Sequence, residues 1–547
     1  MEIAGMALAV AGVVVAFKGA VDSALFIESF SDDENTDCSY LALNYHIQKT
    51  RLKLWGDEYV VKAGTSAQSH KLRNIPEYVQ ESIVRILGEI EKLNQKATDL
   101  VDKYNAKVPD LPGQVTINSM QPEHNLPKSL AILKLKPTSR FRWTIKKKGD
   151  FETIIARLRE LIGDLENFTL VPEKSQLMAN SLVLHILTSL NNTPELLQAL
   201  GDSRVGADQS LTFSARAKSI QQDIHPGLPT NIGDDQLTLL GGSPNLGLLM
   251  RPGGKRVPVL LEWNIIQTST GKTKHVERLE ALGHLLEQVS DPSIRLPPCY
   301  GIYHDANYEV DHPGWQRVGY TFGTPSSIAN TTARWYQYDS RLDIRPPTSL
   351  STRIRNQKEI PALEDRFQLA YNLATAFGLF HAAGWLHKGF HSNNIVFFER
   401  IEDRGLDETE PFIVGFQYSR PQQAESLSSG PLSDPSLVYY YHPDVEKGFT
   451  KARDLYGLGV VMCEIGRWCL MVDISERRKR KLQSRAMWQD YLLTNVVNDL
   501  GWRMGTKYQT VVKTLLSCGL PNDDAGEEFF TQRYIEEVMK PLKACSA

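Results

Sequence analysis

Cysteine is scarce in this sequence. Six residues in 547, Cys38, Cys299, Cys463, Cys469, Cys518 and Cys545, form no CxxC pair, which argues against a disulfide framework or a cysteine-based zinc site and predicts reduced thiols in the cytoplasm. Charge of one sign is equally lacking: 61 Lys and Arg against 64 Asp and Glu leave a net charge of −3, so no global excess points to nucleic acid. No repeat of fixed period and no long low-complexity tract interrupts the chain. The uncharged opening run, Ile3 to Phe17, is fifteen residues, short of the roughly 20 that cross a bilayer. Extension to Ile27 would carry Lys18 and Asp22. A signal peptide fits worse, because Glu2 stands in the usually positive n-region and no clear Ala-x-Ala site follows.

What the chain does hold is length and an unusual start. Its 547 residues, 41% of them hydrophobic, suffice for two or three domains with a large core. Gly5, Ala9, Gly12, Ala16 and Gly19 recur at steps of four and three, on one helical stripe. Such a stripe lets another helix backbone come close, while Ile3, Met6, Val10, Val13, Val14, Phe17 and Val21 cover the remaining faces. At roughly 1.5–3 kcal/mol per large apolar side chain, those residues carry on the order of 10 kcal/mol of transfer free energy. The bland reading is a helix buried in a bundle; the sharper one is a helix that exchanges a protein core for a bilayer.

Further helices follow. Leu41, Tyr45, Leu52 and Trp55 share one face of a segment from Tyr40 to Trp55, with Gly56 a plausible stop. Val79, Ile83, Ile86, Ile90, Leu93, Ala97, Leu100 and Tyr104 step by three and four. After a connection containing Pro109, Pro112, Pro122 and Pro127, Asp150 is the expected N-cap of a helix burying Phe151, Ile154, Ile155, Leu158, Leu161, Ile162, Leu165 and Phe168. The pattern predicts an all-α bundle. Between His124 and Gly149 no residue is acidic, while Lys128, Lys134, Lys136, Arg140, Arg142, Lys146, Lys147 and Lys148 are basic, with Phe141 and Trp143 among them. This is a candidate membrane-surface patch, Arg140, Arg142 and Lys146 to Lys148 foremost, against the default of a solvated face.

The opening AGMALAVAGVVVAF, the helix end RLKLWG, and FRWTIKKKGDFETIIARLRELIGDLENF resemble the fungal HeLo domain, the helical bundle of heterokaryon-incompatibility proteins. The resemblance covers roughly residues 1–200 and implies that the first helix, through Gly5, Ala9, Gly12, Val13, Ala16, Phe17 and Gly19, is the membrane-disrupting element of a cell-death domain. No C-terminal amyloid-forming segment is recognisable, so a prion trigger is not implied.

Residues 201–236 turn polar and read as a linker. Beyond them, strands at Val257–Ile266, Gly301–His304 and Val318–Phe322 and helices at Lys272–Val289 and Ala362–Ala383 lead into WLHKGFHSNNIVFF. That order resembles the two-lobed α+β protein kinase fold over residues 237–547. His387 stands for the His of His-Arg-Asp, Asn394 for the metal-binding Asn, His442-Pro443-Asp444 for Ala-Pro-Glu, and Asp454 for the anchor of the catalytic loop. The acidic chemistry is missing: Gly389 replaces the catalytic Asp, His391 the following Lys, Gly415 the Asp of Asp-Phe-Gly, and no Lys stands near Leu260, Leu261 and Glu262. Transfer of a phosphoryl group depends on those charges, each worth several kcal/mol at the transition state. The resemblance thus implies a pseudokinase, with His387 and Asp454 kept as structural anchors, no metal and no required cofactor. Binding of ATP without transfer stays open.

The plan resembles that of the mixed-lineage kinase-like pseudokinases of necroptosis. The expectation is a cytoplasmic cell-death effector that moves to the plasma membrane on activation, with lipids and copies of itself as partners, an unidentified upstream receptor or kinase, and no nucleic acid. Serines and tyrosines between Gln417 and Asp444 could be the phosphorylated input, with Arg477 to Lys481 as acceptor. The rivals are an active kinase with atypical residues and a non-enzymatic scaffold.

Overall fold

A computed structural model describes residues 2–24, 36–60, 75–105, 145–169, 172–190, 194–201, 209–222, 227–240, 245–267, 272–289, 294–323, 346–356, 360–399, 405–416, 419–421, 437–477, 484–521 and 525–545. It divides into two compact units, Met1–Leu182 and Val183–Ala547. Arg140 and Arg142, Ser426 to Ser436, and Arg478 to Lys481 lie outside the described residues.

The first unit is helical: α1 (Glu2–Asp22), α2 (Thr36–Tyr59), α3 (Glu77–Asn105), α4 (Ile145–Thr169) and the first half of α5 (Pro172–Ser189). Its core draws Val13, Phe17 and Ala20 from α1, Leu41, Tyr45, Leu52 and Trp55 from α2, Ile83, Leu87 and Ile90 from α3, and Phe151, Leu158 and Leu165 from α4. These are the apolar stripes that the spacing predicts, except that Phe168, expected to be buried on α4, is 49% exposed in the last turn, beyond the bundle core that ends at Leu165. Two helix ends differ from expectation. α2 runs through Gly56 to Tyr59, and α4 begins at Ile145, so Asp150 lies inside it. Lys146 to Lys148 are good helix formers and extend the helix backwards; Thr153 Oγ1 then bonds the Gly149 carbonyl at 2.8 Å. Among the described residues no helix is long and apolar enough to cross a membrane.

The second unit opens with the second half of α5, α6 (Pro194–Gly201) and α7 (Gln209–Gln222), so the stretch whose polarity suggests a linker contains a helix. Leu211, Ala215 and Ala217 of α7 are buried. Next come β1 (Asn231–Ile232), β2 (Leu237–Leu239), β3 (Leu246–Met250), β4 (Arg256–Gln267), α8 (Lys272–Gln288), β5 (Cys299–His304), α9 (Ala306–Asp311) and β6 (Trp315–Gly323). They form a mixed sheet of order β1-β5-β6-β4-β3-β2, parallel only at β1–β5. The remainder is mostly helical: β7 (Thr348–Ser349), α10 (Leu350–Arg355), α11 (Leu363–Ala382), β8 (Trp385–Leu386), β9 (Ile395–Phe397), β10 (Phe412–Ile413), β11 (Arg420–Pro421), α12 (Lys451–Arg467), α13 (Met471–Arg477), α14 (Arg485–Tyr491), α15 (Val497–Leu516) and α16 (Glu527–Tyr534).

The period of two along β4 decides what each face meets. Val259 and Leu261 join Ile232, Leu237, Leu249 and Tyr303 in one cluster, whereas Leu260 packs on Val396, Phe398, Phe412 and Val414. Glu262 shares the face of Leu260.

Candidate functional site

The seat of α1 is built from one notch and one polar relay. The Phe17 ring lies on α2 where Gly56 has no side chain; a Cβ there would fall 1.8 Å from Phe17 Cζ. Trp55 is 6.0 Å from the Phe17 ring, centroid to centroid, and stacks at 5.6 Å on Tyr59. Trp55 Nε1 donates to Thr169 Oγ1 at 2.8 Å and Tyr59 donates to the Thr169 carbonyl, which anchors this aromatic wall to the end of α4. Three residues beyond Phe17, Asn94 Nδ2 donates to the Ala20 carbonyl at 2.8 Å, and Tyr45 OH donates to Asn94 Oδ1 at 2.9 Å. Asn94 is buried, so losing either partner leaves an amide group unpaired in the core.

The small-residue stripe faces α3: a Cβ on Gly12 would touch Val84 Cγ2 at 3.7 Å, and one on Gly19 would meet the Glu91 carboxylate at 2.8 Å. Val13 and Phe17 are buried and Ala16 is half-buried, while Val15 is 72% exposed. Gly5 and Ala9 belong to α1, but their surroundings lie outside the described residues, as do the side chains of Lys146 and Lys147 in the first turn of α4. Lys148 is partly exposed, 3.9 Å from Glu152.

Residues 5–198 match the HeLo family model, described as prion-inhibition and propagation. No curated protein matches the chain. The matched stretch runs from within α1 to within α6, and its last part, 183–198, falls in the second compact unit. Neither Gly56 nor Asn94 stands out by spacing in this matched stretch. Their only local signals are a glycine inside an apolar helix and an amide on the buried stripe of α3.

In the second unit, the residues matched to a catalytic centre do come together. Asp454, in the first turn of α12, accepts from His381 Nε2 at 2.9 Å and from the His387 and Lys388 amides at 2.8 Å each. Burial pulls its carboxyl upward, but the His381 hydrogen bond and the neighbouring histidines bring it below the ordinary range. These bonds hold Lys388 at φ 65°, a left-handed conformation that a non-glycine residue adopts only under constraint. The His387 ring bonds the Val414 carbonyl at 3.1 Å among Phe377, Phe390 and Phe416, and burial lowers its pKa to about 4. Gly389 follows in buried coil.

Asn394 is spent internally. Its Oδ1 accepts from the His391 amide at 3.0 Å and contacts the His391 ring, while its Nδ2 occupies the space beside Gly415, 1.7 Å from where a Cβ would stand. Gly415 has φ 87°, and its N–H donates to Glu262 Oε2 at 2.7 Å. An acidic strand residue therefore holds the backbone at Gly415. Among the described residues no group of three or more His, Cys, Asp or Glu has metal-holding geometry. Placing a carboxylate there with Gly415→Asp should cost about 2–4 kcal/mol from overpacking and the left-handed backbone. Urea midpoints would register it; wild-type stability would mean that Asn394 yields freely.

Tyr440 closes the far side. Its hydroxyl donates to Glu464 Oε1 at 2.7 Å, and the same carboxylate accepts from the Met471 amide at 2.8 Å. Burial pushes the Glu464 carboxyl up to about 7 against those hydrogen bonds. The folded protein then holds a proton that the unfolded chain releases near pH 4.3–4.5, so this group's stabilisation is greatest below that value, falls as pH rises to about 7, and is level above. Glu464→Gln should remove a slope of about 3 kcal/mol across that window. Urea midpoints at pH 5 and pH 8 test it: equal pH dependence in both proteins would contradict the assignment.

Proposed function

We propose that this chain is a fungal cell-death or heterokaryon-incompatibility effector, in which a pseudokinase region restrains a membrane-targeting HeLo domain. The observation that carries it is the way α1 is held. An almost uncharged helix rests in a defined seat, Phe17 on Gly56 and the Ala20 carbonyl on Asn94, while keeping Val15 outward. Switching such a helix from 1:99 to 99:1 takes about 5.5 kcal/mol of differential binding, less than its apolar transfer scale of ~10 kcal/mol. A latch of a few contacts suffices.

The pseudokinase half of the proposal is supported by topology and by what fills the cleft. Antiparallel strands β2-β3-β4-β6-β5, with α8 inserted after β4, are the arrangement a kinase small lobe would have. Leu260 packs on Val396 and Val414, while Asn394 Oδ1 accepts from the His391 amide and Glu262 Oε2 from the Gly415 amide. In this reading no phosphate is transferred, and the region senses a signal by changing shape, with membrane lipids and further copies of the chain as partners.

The experiment is dye release from anionic vesicles by the full chain, alone and after α1 is freed by mutation, beside killing in fungal cells. Release that rises with α1 mobility supports the proposal. A freed α1 that leaves vesicles intact would turn the reading toward a scaffold, and phosphate transfer abolished by Asn394→Ala would turn it toward an active kinase.

A further inference from the structure

Positive charge outnumbers negative where the end of α12 meets the start of α15, within the second unit. Arg503 Nε donates to Asp499 Oδ2 at 2.8 Å, and Arg467 Nε, on the last residue of α12, lies 3.3 Å from the same oxygen. Trp502 Nε1 donates to the other oxygen, Oδ1, at 2.8 Å. A third guanidinium, Arg366 in the first turns of α11, donates from Nη1 to the Gly466 carbonyl at 3.2 Å. Its Nε is buried without a hydrogen bond, and among the described residues no carboxylate pairs with it. Burial lowers its pKa, Tyr508 offsets part of this, and the charge of Arg503 lowers it further; a guanidinium stays charged regardless.

Close helix packing assembles the cluster. A Cβ on Gly466 would stand 2.5 Å from Leu500 Cδ2 and 3.3 Å from Tyr508 Cε1, so its absence lets α15 approach and brings Arg467 to Asp499. Cations at the C-terminal end of a helix meet a favourable dipole and cap its last carbonyls. That role accounts for Arg366 Nη1 and for the placing of Arg467, but not for Arg503. Asp499 engages Arg467 and Arg503 by their Nε edges, and among the described residues their Nη ends make no hydrogen bond. The side chains of Arg467 and Arg503 are 25% and 35% exposed. Arg503 also stands 4.2 Å from the Trp502 ring centroid, and Trp502 is 72% exposed.

We propose that Arg366, Arg467 and Arg503 bind the phosphate of a phosphorylated segment of a partner protein, with Asp499 orienting two of the guanidiniums and Trp502 as the platform for the residue that carries the phosphate. Charge selects the ligand. Three guanidiniums against one carboxylate leave an excess of two positive charges, which a phosphate monoester, at about −1.5 to −2 near pH 7, neutralises and a single carboxylate does not. Geometry agrees, because open guanidinium forks match the oxygens of a phosphate two at a time. A lipid surface is met by basic groups and aromatics spread along an interface, whereas here two guanidiniums converge on one carboxylate oxygen beside one exposed indole. The inference rests on side chains of the second unit alone and stands whether or not the protein meets a membrane.

Titration of the full chain with a short peptide bearing one phosphotyrosine, with its unphosphorylated twin, and with anionic vesicles tests it. The phosphopeptide should bind saturably, inorganic phosphate should compete, and the twin should bind far more weakly. Arg467→Gln and Arg503→Gln should each weaken phosphopeptide binding roughly 10- to 100-fold. Arg503→Lys should weaken it too, because the charge stays while the fork is lost. Trp502→Ala should weaken the peptide about 2- to 10-fold and leave competition by inorganic phosphate unchanged. No saturable binding of the phosphopeptide, equal binding of its twin, or wild-type affinity in both glutamine variants overturns the site. Vesicle binding that the arginine variants abolish, without any phosphopeptide binding, overturns it in favour of a lipid surface. Should the glutamine variants not fold, Arg503→Lys decides: affinity equal to wild type overturns the proposal.

Discussion

Gly56→Leu should lift α1 off the bundle while α2 stays helical. Leucine is intrinsically the better helix former by most of 1 kcal/mol, so any destabilisation must come from the contact and not from α2 itself. That contact is severe: the first side-chain atom already falls 1.8 Å from the Phe17 ring, which has Trp55 beside it. Displacing a buried Phe ring costs about what truncating it does, 3–5 kcal/mol, close to the ~5.5 kcal/mol that would invert the resting population. Hydrogen exchange should show amides of 12–22 losing on the order of 100-fold protection with α4 unaffected. Phe17→Ala should do much the same, and Phe17→Ala/Gly56→Leu should be milder than the sum by about 1–3 kcal/mol, because the new leucine fills the vacated notch. Strict additivity, or full protection of α1 in Gly56→Leu, would show that the ring is not the latch.

Why the notch escaped a reading of spacing alone is physical. Glycine at the end of an apolar stripe ordinarily marks a helix stop, and only a ring arriving from another helix gives Gly56 its other use. The stripes themselves were legible: Ile83, Ile86, Ile90, Leu93 and Ala97 announce α3, which spans Glu77–Asn105, and β4, α8, β5, β6 and α11 lie within a few residues of their expected places. Local periodicity reports which face of an element is apolar. It does not report the partner. The alternation of β4 puts Leu260 and Glu262 on one face, but the Gly415 amide that Glu262 holds is 153 residues further on. Lys218 looked like linker polarity because Glu527, which makes its burial tolerable, is 309 residues away.

Val15→Asp, added to Gly56→Leu, should silence a freed α1 without touching its resting state. Val15 is 72% exposed on the seated helix, and valine and aspartate rank alike as helix formers, so the change should stay within about 0.5 kcal/mol in stability. In a bilayer the same position is no longer at a surface. Aspartate there costs about 2.5–3.5 kcal/mol where valine gains about 0.3–0.6, a difference of about 3–4 kcal/mol and hence roughly a 100- to 1,000-fold drop in dye release. The expected effects of two neighbouring positions are opposite: if α1 enters lipid, truncating Phe17 should remove a restraint and raise dye release, whereas charging Val15 should leave the seat intact and remove the destination. A helix acting through a protein partner or only as a spacer has no reason to separate them that way. Should the double variant release dye and kill as fast as Gly56→Leu alone, with matching thermal melts, α1 would not be the segment that enters the lipid, and the basic stretch leading into α4 would be next to mutate.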